Sequence, residues 1–227
     1  MRVLAIDTAL EACSAAVLDT TRAHILATET RLMARGHAEA LLPMIARVMA
    51  AAGIGFAELD RIAVTVGPGS FTGLRVGIAA ARGIALAAGK GAVGLTTLSA
   101  FAAPHIAADD TRSVAAVIDA RHEHVYLQIF GPGGRTVVQP RIAPLREAVL
   151  AAVSGSARIV GSAAELVAGS WPRGQAAPAL VDQRGAPDID WIARLGAAAV
   201  EPHGPPKPLY LRPPDAQPQA PNRLLQR

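Results

Sequence analysis

The chain has 227 residues, of which 51% are hydrophobic and 18% are charged. This is the composition of a globular protein, with enough apolar material for one large domain or two small ones. The formal net charge is +4 and the arginines are scattered rather than clustered. The charge therefore permits contact with nucleic acid, but it does not indicate a dedicated nucleic-acid-binding surface.

The chain has a single cysteine, Cys13, which excludes an intrachain disulfide and a cysteine pair for a metal. This usage fits a reducing cytoplasm. We expect Cys13 to be a small buried hydrophobe rather than a nucleophile. The apolar run at the N-terminus ends at Asp7 after four residues, which is too short for a signal peptide, and no apolar segment makes a convincing membrane span. We therefore expect a cytoplasmic protein.

Alternation and helical spacing of apolar residues predict the elements of the first half. Three short strands predict an antiparallel meander, followed by two helix–strand pairs and a last helix. The predicted strands are 3–6, 14–18, 25–30, 61–66 and 92–95, and the predicted helices are 38–52, 72–88 and 97–107.

The polar stretch 108–112 then interrupts this pattern, and strands are predicted again at 113–118, 125–130 and 135–139. In each half a buried strand ends in an aspartate, Asp7 or Asp119, and a loop, a second strand and a return strand follow. Such a repeat is typical of the duplicated ribonuclease-H-like fold of actin, sugar kinases and Hsp70, although apolar strands end in Asp in many α/β proteins.

The predicted fold is α/β, with two βββαβα-type half-domains of which the second is truncated. We place the first half at 1–108, with helices for dimerisation, and an eroded second half at 109–201. A proline-rich tail at 202–227 is expected to pack back in part and to be flexible otherwise.

Two turns could face a phosphate. Asp7 and Thr8 follow the first strand, where a hydroxyl and backbone N–H groups can cradle an anion, and Asp119 is the matching aspartate of the second half. Gly69 and Ser70 precede a helix start, where free N–H groups and the helix dipole favour anions. The alternative is that each aspartate accepts hydrogen bonds from the amides of its own turn.

The segment 67–77 is not a phosphate-binding P-loop, because no Gly-Lys-Ser/Thr follows. Ser70 and Thr72 are candidate N-caps. Gly73, Gly77 and Ala81 recur at every fourth residue and give the helix one bare stripe. The stripe indicates a tight contact with another element, either within the core or between subunits.

The histidines do not form a zinc signature, because no pair has i, i+4 spacing on a helix. His122 and His124 are expected at the surface, His37 is expected to be a local cap at a helix start, and His105 appears solitary in sequence.

Several segments together resemble the TsaB (YeaZ) family, and the resemblance covers nearly the whole chain. Gly-Pro-Gly-Ser-Phe-Thr-Gly-Leu-Arg at 67–75 is the most specific of them. The others are Ile-Asp-Thr at 6–8, His-Ala-Glu-Ala-Leu-Leu-Pro at 37–43, Gly-Leu-Thr-Thr-Leu at 94–98, Asp-Ala-Arg at 119–121 with Glu123, Val-Tyr at 125–126, and Tyr-Leu-Arg-Pro at 210–213. One departure is Ala9 after Thr8, where the family usually has Thr-Ser.

The resemblance implies a non-catalytic scaffold subunit, required to make threonylcarbamoyladenosine at adenosine 37 of tRNAs that read ANN codons. Such a subunit pairs with the actin-like transferase TsaD, helps recruit the ATPase TsaE, forms a homodimer when alone and meets tRNA through the complex. TsaD holds its metal with a His-x-x-x-His pair, whereas the matching stretch here, 95–101, has no histidine. No cofactor is therefore expected on this chain, and ATP and metal are expected on the partners.

The resemblance also implies a partner surface on the first-domain helices. Its predicted residues are His37, Leu41, Leu42, Ile45, Thr72, Gly73, Arg75, Val76, Gly77 and Ala81. Two other functions stay open on the sequence: a glycoprotease-like peptidase, which would need a metal or nucleophile, and an actin-like small-molecule kinase, which would need a nucleotide pocket in the second half.

Overall fold

A computed structural model describes residues 1–155, 158–200 and 204–212. In chain order the elements are β1 (Arg2–Asp7), β2 (Ala12–Asp19), β3 (His24–Leu32), α1 (His37–Ala52), β4 (Arg61–Gly67), α2 (Phe71–Ala88), β5 (Gly91–Thr96), α3 (Thr97–Ala108), β6 (Val114–Asp119), β7 (His124–Phe130), β8 (Thr136–Pro144), α4 (Leu145–Ser154), β9 (Arg158–Gly161), α5 (Ala164–Gly169), β10 (Leu180–Gln183) and α6 (Ile189–Ala198).

Two five-stranded sheets of the same topology form the frame. The first has the order β3-β2-β1-β4-β5 and the second has the order β10-β9-β6-β7-β8. In each sheet three strands form an antiparallel meander, and two more are added parallel to the first strand of that meander. The predicted duplicated α/β fold is confirmed, and Asp7 and Asp119 lie at equivalent strand ends.

The second half keeps every element of the first half and shortens most of those after its meander. Helix α5 has 6 residues where α2 has 18, and β9 and β10 have 4 residues each where β4 has 7 and β5 has 6. The predicted truncation is therefore a shortening of elements rather than a loss of them.

Helices α3 and α6 lie between the two sheets, and each of them packs on the sheet of the other half. Helix α3 follows the first sheet but packs through Leu98 and Phe101 on the second, and α6 follows the second sheet but packs through Ile192 and Ala193 on the first. Because α6 belongs to the predicted second half, the core of the first half includes residues from beyond 108. The predicted division at residue 108 stays a prediction.

Local chemistry sets several element ends. Ser70 caps α2 by accepting a hydrogen bond from the amide of Gly73 at 3.3 Å, as predicted for an N-cap. Helices α1 and α2 end at Gly53 and Gly89, which take the left-handed conformation that glycine adopts without strain. Strand β1 is buried on both faces, which explains its continuous apolar run.

Cys13 is fully buried in β2, as expected. Burial, with a smaller contribution from Asp7, raises the pKa of its thiol to about 11, so the group stays a neutral thiol.

Of the predicted tail, residues 204–212 pack against the first half, where the amide of Leu209 donates to the carbonyl of Val66 at 2.8 Å. The other residues of the predicted tail, 202–203 and 213–227, lie outside the described residues.

The close packing of α6 on the first sheet predicts opposite effects for two glycine-to-alanine changes. A Cβ on Gly196 would collide with the side chain of Ala63. Gly196→Ala should therefore lower the free energy of unfolding by about 1–3 kcal/mol through overpacking. Gly83, on the outer face of α2, has open space around it, so Gly83→Ala should raise that free energy by about 0.5–1 kcal/mol. Urea unfolding of both variants checks the pair, and equal effects would contradict the packing of α6.

Candidate functional site

The turn after β1 is a closed polar cluster. Asp7 is fully buried, and its Oδ1 accepts hydrogen bonds from the hydroxyl of Thr65 and from the amide of Ala9 at 3.1 Å. Its Oδ2 has no partner among the described residues. Burial raises the pKa of Asp7, and the bonds from Thr65 and Ala9 oppose that rise.

Helix α2 passes directly over this turn. The hydroxyl of Thr8 donates to the carbonyl oxygen of Gly73 at 2.7 Å. A Cβ on Gly73 would collide with the carbonyl oxygen of Thr8, and a Cβ on Gly77 would collide with the Thr8 hydroxyl. The glycines at these two positions therefore allow the helix to approach the turn this closely.

The loop before α2 seals the same turn from another side. The amide of Ser70 donates to the carbonyl of Ala9 at 2.7 Å, and a Cβ on Gly69 would collide with that carbonyl. The predicted residues Asp7, Thr8, Gly69 and Ser70 are thus brought together, but they bond one another. Both Asp7 and Thr8 are buried and the Thr8 hydroxyl donates to α2, so the structure gives no support to a phosphate contact, which stays a prediction for these two residues. Ser70 is exposed, and for Gly69 and Ser70 the expectation stays a prediction.

Asp119 is not part of this cluster. It is exposed at the end of β6, where its Oδ1 accepts from the amide of Arg121 at 2.7 Å and its own amide donates to the hydroxyl of Ser162. Both aspartates therefore accept hydrogen bonds from the amides of their own turns, which is the alternative that the sequence left open. A phosphate contact by Asp119 stays a prediction.

Six of the ten predicted partner residues belong to the core of the protomer. Leu41, Ile45, Gly73, Gly77 and Ala81 are buried there, and His37 is buried with its Nε2 3.1 Å from the carbonyl oxygen of Leu10. The side chains or bare backbone of these six residues pack within the chain, and a direct partner contact by them stays a prediction. The bare stripe is an intrachain contact.

The other four predicted residues lie on the outside. Leu42, Thr72 and Arg75 are exposed and Val76 is half-buried. The sequence prediction missed the rest of this outer face, which consists of exposed apolar or small residues of α1 and α2. They are Ala46, Ala50, Ala79, Gly83, Leu86 and Ala87. Their signal is a second stripe, Ala79–Gly83–Ala87, at the same four-residue spacing as the buried stripe.

Two of the described histidines, His122 and His124, lie close together at the β6–β7 turn. His122 is exposed and its carbonyl is 2.7 Å from Nδ1 of His124. His105 is not solitary: its Nε2 lies 3.0 Å from Oδ2 of Asp182. Burial lowers the pKa of His105, and Asp182 opposes that shift. Within the described ranges, no group of three or more His, Cys, Asp or Glu side chains is arranged to hold a metal ion.

The buried environment of Asp7 predicts that replacing it raises the free energy of unfolding by an amount that depends on pH. Since burial raises the folded-state pKa, the folded protein holds this proton more tightly than the unfolded chain does, and stability is lost as the pH rises through that pKa. Asp7→Asn, which does not titrate, should therefore be more stable than the wild type at about pH 8, with a gap that narrows toward about pH 4. Urea unfolding across this range measures the gap.

Asp109 provides a control of opposite sign. Hydrogen bonds from Thr111 lower the pKa of its carboxyl, so it stabilises the fold above its ordinary pKa and loses that effect as the pH falls. Asp109→Asn should be less stable than the wild type at about pH 8. A constant gap for Asp7→Asn, or the same sign for both variants, would contradict the buried environment of Asp7.

Comparisons with known proteins place this geometry in a family. The family model of tRNA N6-adenosine threonylcarbamoyltransferase (TsaD) matches residues 21–166. The tRNA threonylcarbamoyladenosine biosynthesis protein TsaB of Escherichia coli K12 is 40% identical over 128 residues, which are 56% of this chain and 53% of that protein. The match thus spans about half the length of this relative.

Two further comparisons cover almost the whole chain. An uncharacterized protein of Mycobacterium tuberculosis H37Rv is 36% identical over 220 residues, which are 96% of this chain and 95% of that protein. YeaZ from Pseudomonas aeruginosa has a similar structure, with a TM-score of 0.78 at 27% identity over 92% of this chain and 99% of that one. The chain therefore belongs to the TsaB (YeaZ) family, and its residues 21–166 also match the TsaD family model.

Proposed function

We propose that this chain is a non-catalytic accessory subunit in the synthesis of threonylcarbamoyladenosine at adenosine 37 of tRNAs that read ANN codons. The names of the TsaB relatives support the pathway. The stretch 95–101, which the family resemblance matches to the metal-binding segment of TsaD, contains hydroxyl and apolar residues and no histidine. Hydroxyl and apolar groups are poor ligands for a transition metal.

The observation that carries the proposal is the uncovered outer face of α1 and α2. Leu42 is 58% exposed and Leu86 is 86% exposed. Ala46, Ala50, Ala79, Gly83 and Ala87 on the same face are small, so a second helix can approach closely. Helix α2 contains no acidic residue, and an apolar face of this kind is typical of a protein–protein contact. We infer that a TsaD-like catalytic subunit binds here, and that a second copy of the chain binds here in its absence.

The resemblance to the TsaB family supports the remaining partners of this proposal. ATP and metal are held by the TsaD-like subunit and by a TsaE-like ATPase. This chain and the TsaD-like subunit together help to recruit that ATPase. The tRNA binds to the whole complex rather than to this chain alone. We place the assembly in the cytoplasm. Helix α2 is apolar and long enough to cross a membrane by length and composition alone, with a third of its residues buried. Core helices of soluble proteins meet the same criteria, and Leu74 and Ile78 of α2 pack on the first sheet.

A charge on the outer face should disrupt the pairing. Leu42→Glu should weaken binding to the purified TsaD-like subunit of the same organism by about 10-fold or more, because a carboxylate would be buried in an apolar contact. Leu150→Glu is the matched control, since Leu150 is 62% exposed on α4 in the second half. Isothermal titration calorimetry measures both, with circular dichroism to check the fold.

The same samples test the activity. With the TsaD-like and TsaE-like subunits, ATP, threonylcarbamoyl-adenylate and tRNA, wild type and Leu150→Glu should support modification, and Leu42→Glu should reduce it. Modification at full rate without this chain, or modification by this chain unaided, would contradict the proposed role. Equal binding by both glutamate variants would contradict the surface.

A further inference from the structure

The C-terminal strap, defined as residues 204–212, runs along α2 toward the start of that helix. Near its beginning, Nε of Arg82 donates to the carbonyl of Pro206 at 2.8 Å. In its middle, the amide of Leu209 donates to the carbonyl of Val66 at 2.8 Å. A Cβ on Gly67 would lie 2.9 Å from the carbonyl oxygen of Leu209, so the first half is shaped to admit the strap. At its end, Arg212 donates to the carbonyl of Ala120 at 3.0 Å, which ties the strap to the second half.

The strap places Tyr210 in an ordered cluster with two residues of the first turns of α2. The rings of Tyr210 and Phe71 have centroids 5.4 Å apart and are tilted by 30°. The guanidinium carbon of Arg75 lies 3.7 Å from the centroid of the Phe71 ring, and Nε of Arg75 donates to the hydroxyl of Tyr210 at 3.2 Å. Stacking and the cation–π contact fix all three side chains before any partner arrives, which lowers the entropy lost on binding.

This cluster is accessible and adjoins the outer face of α2. Phe71 is 46% exposed and Tyr210 is 45% exposed, and Arg75 precedes Val76 of the outer face. Aromatic residues and arginine are the types that dominate binding energy at protein interfaces. The charged residues of α2 are two arginines, Arg75 and Arg82. A partner surface that complements α2 therefore has carboxylates next to an apolar centre.

We propose that Phe71, Arg75 and Tyr210 form one end of the partner surface, so that the strap is itself part of the interface. Its occupant is an acidic patch on the TsaD-like catalytic subunit, with an aromatic or aliphatic side chain against the two rings. This inference rests on the proposed function, and it adds a second segment of the chain to the contact made by the two helices.

Binding of the purified catalytic subunit by the full chain tests the inference. Tyr210→Ala should weaken binding by about 10- to 30-fold, which corresponds to loss of one aromatic anchor. Tyr210→Phe keeps the ring and should stay within about 3-fold of the wild type. Lys207→Ala is the control, because Lys207 is exposed on the same strap and precedes the cluster. It should bind as the wild type does.

A second measurement covers the case in which Tyr210→Ala releases the strap. A photo-crosslinking phenylalanine analogue at position 210 should capture the purified catalytic subunit, and the same analogue at position 150 on α4 should not. If the wild type binds and Tyr210→Ala binds with equal affinity, or if position 210 captures nothing, the inference is overturned and the proposed function is unaffected. Failure of the wild type to bind the catalytic subunit would contradict the proposed function, and the inference with it.

Discussion

The close contact between the turn after β1 and helix α2 determines the rest of this structure. Thr8 bonds the backbone of α2 at Gly73, and Gly77 lies against the Thr8 hydroxyl, so any larger residue at either glycine would push the helix off the sheet. In an actin-like fold this turn is the place where a nucleotide phosphate would approach. Here its hydroxyl and one carboxylate oxygen are committed to intrachain bonds, and Asp7 is buried. In this chain the turn is part of the core of the first half.

One side of α2 is fixed in the core, and a second side is left uncovered by the described residues. The inward stripe beginning at Gly73 and the outward stripe beginning at Ala79 lie about 120° apart around the helix, as the helical repeat requires. The outward stripe joins exposed residues of α1, and the strap extends it past Phe71 to Tyr210. One helix therefore serves the core and an outer apolar surface at once. The strap links that surface to the β6–β7 turn of the second half through the bond from Arg212 to the carbonyl of Ala120.

The sequence predicts the first half almost completely, because its strands and helices are long enough to show their periods. The predicted helix 38–52 differs from α1 by one residue. The second half is different: β9 and β10 have four residues each, too few for alternation to be distinguished from chance. The exchange of α3 and α6 could not be predicted, since it depends on contacts between distant segments. The two small-residue stripes of α2 have the same spacing, so only the tertiary structure decides which of them is buried. For the same reason the sequence left the stripe of Gly77 open between the core and a subunit contact, and it did not single out Gly83.

Hydroxyl-radical footprinting tests the central claim most directly, because it reports the solvent exposure of individual side chains in the chain alone and in complex with the TsaD-like subunit. We predict that Leu42, Leu86 and Tyr210 lose reactivity on complex formation, whereas Leu150 and Leu166 of the second half, which are also exposed, keep theirs. Protection of Leu150 and Leu166 with unchanged reactivity of Leu42 and Leu86 would contradict the assignment of the outer face of α1 and α2 as the partner surface.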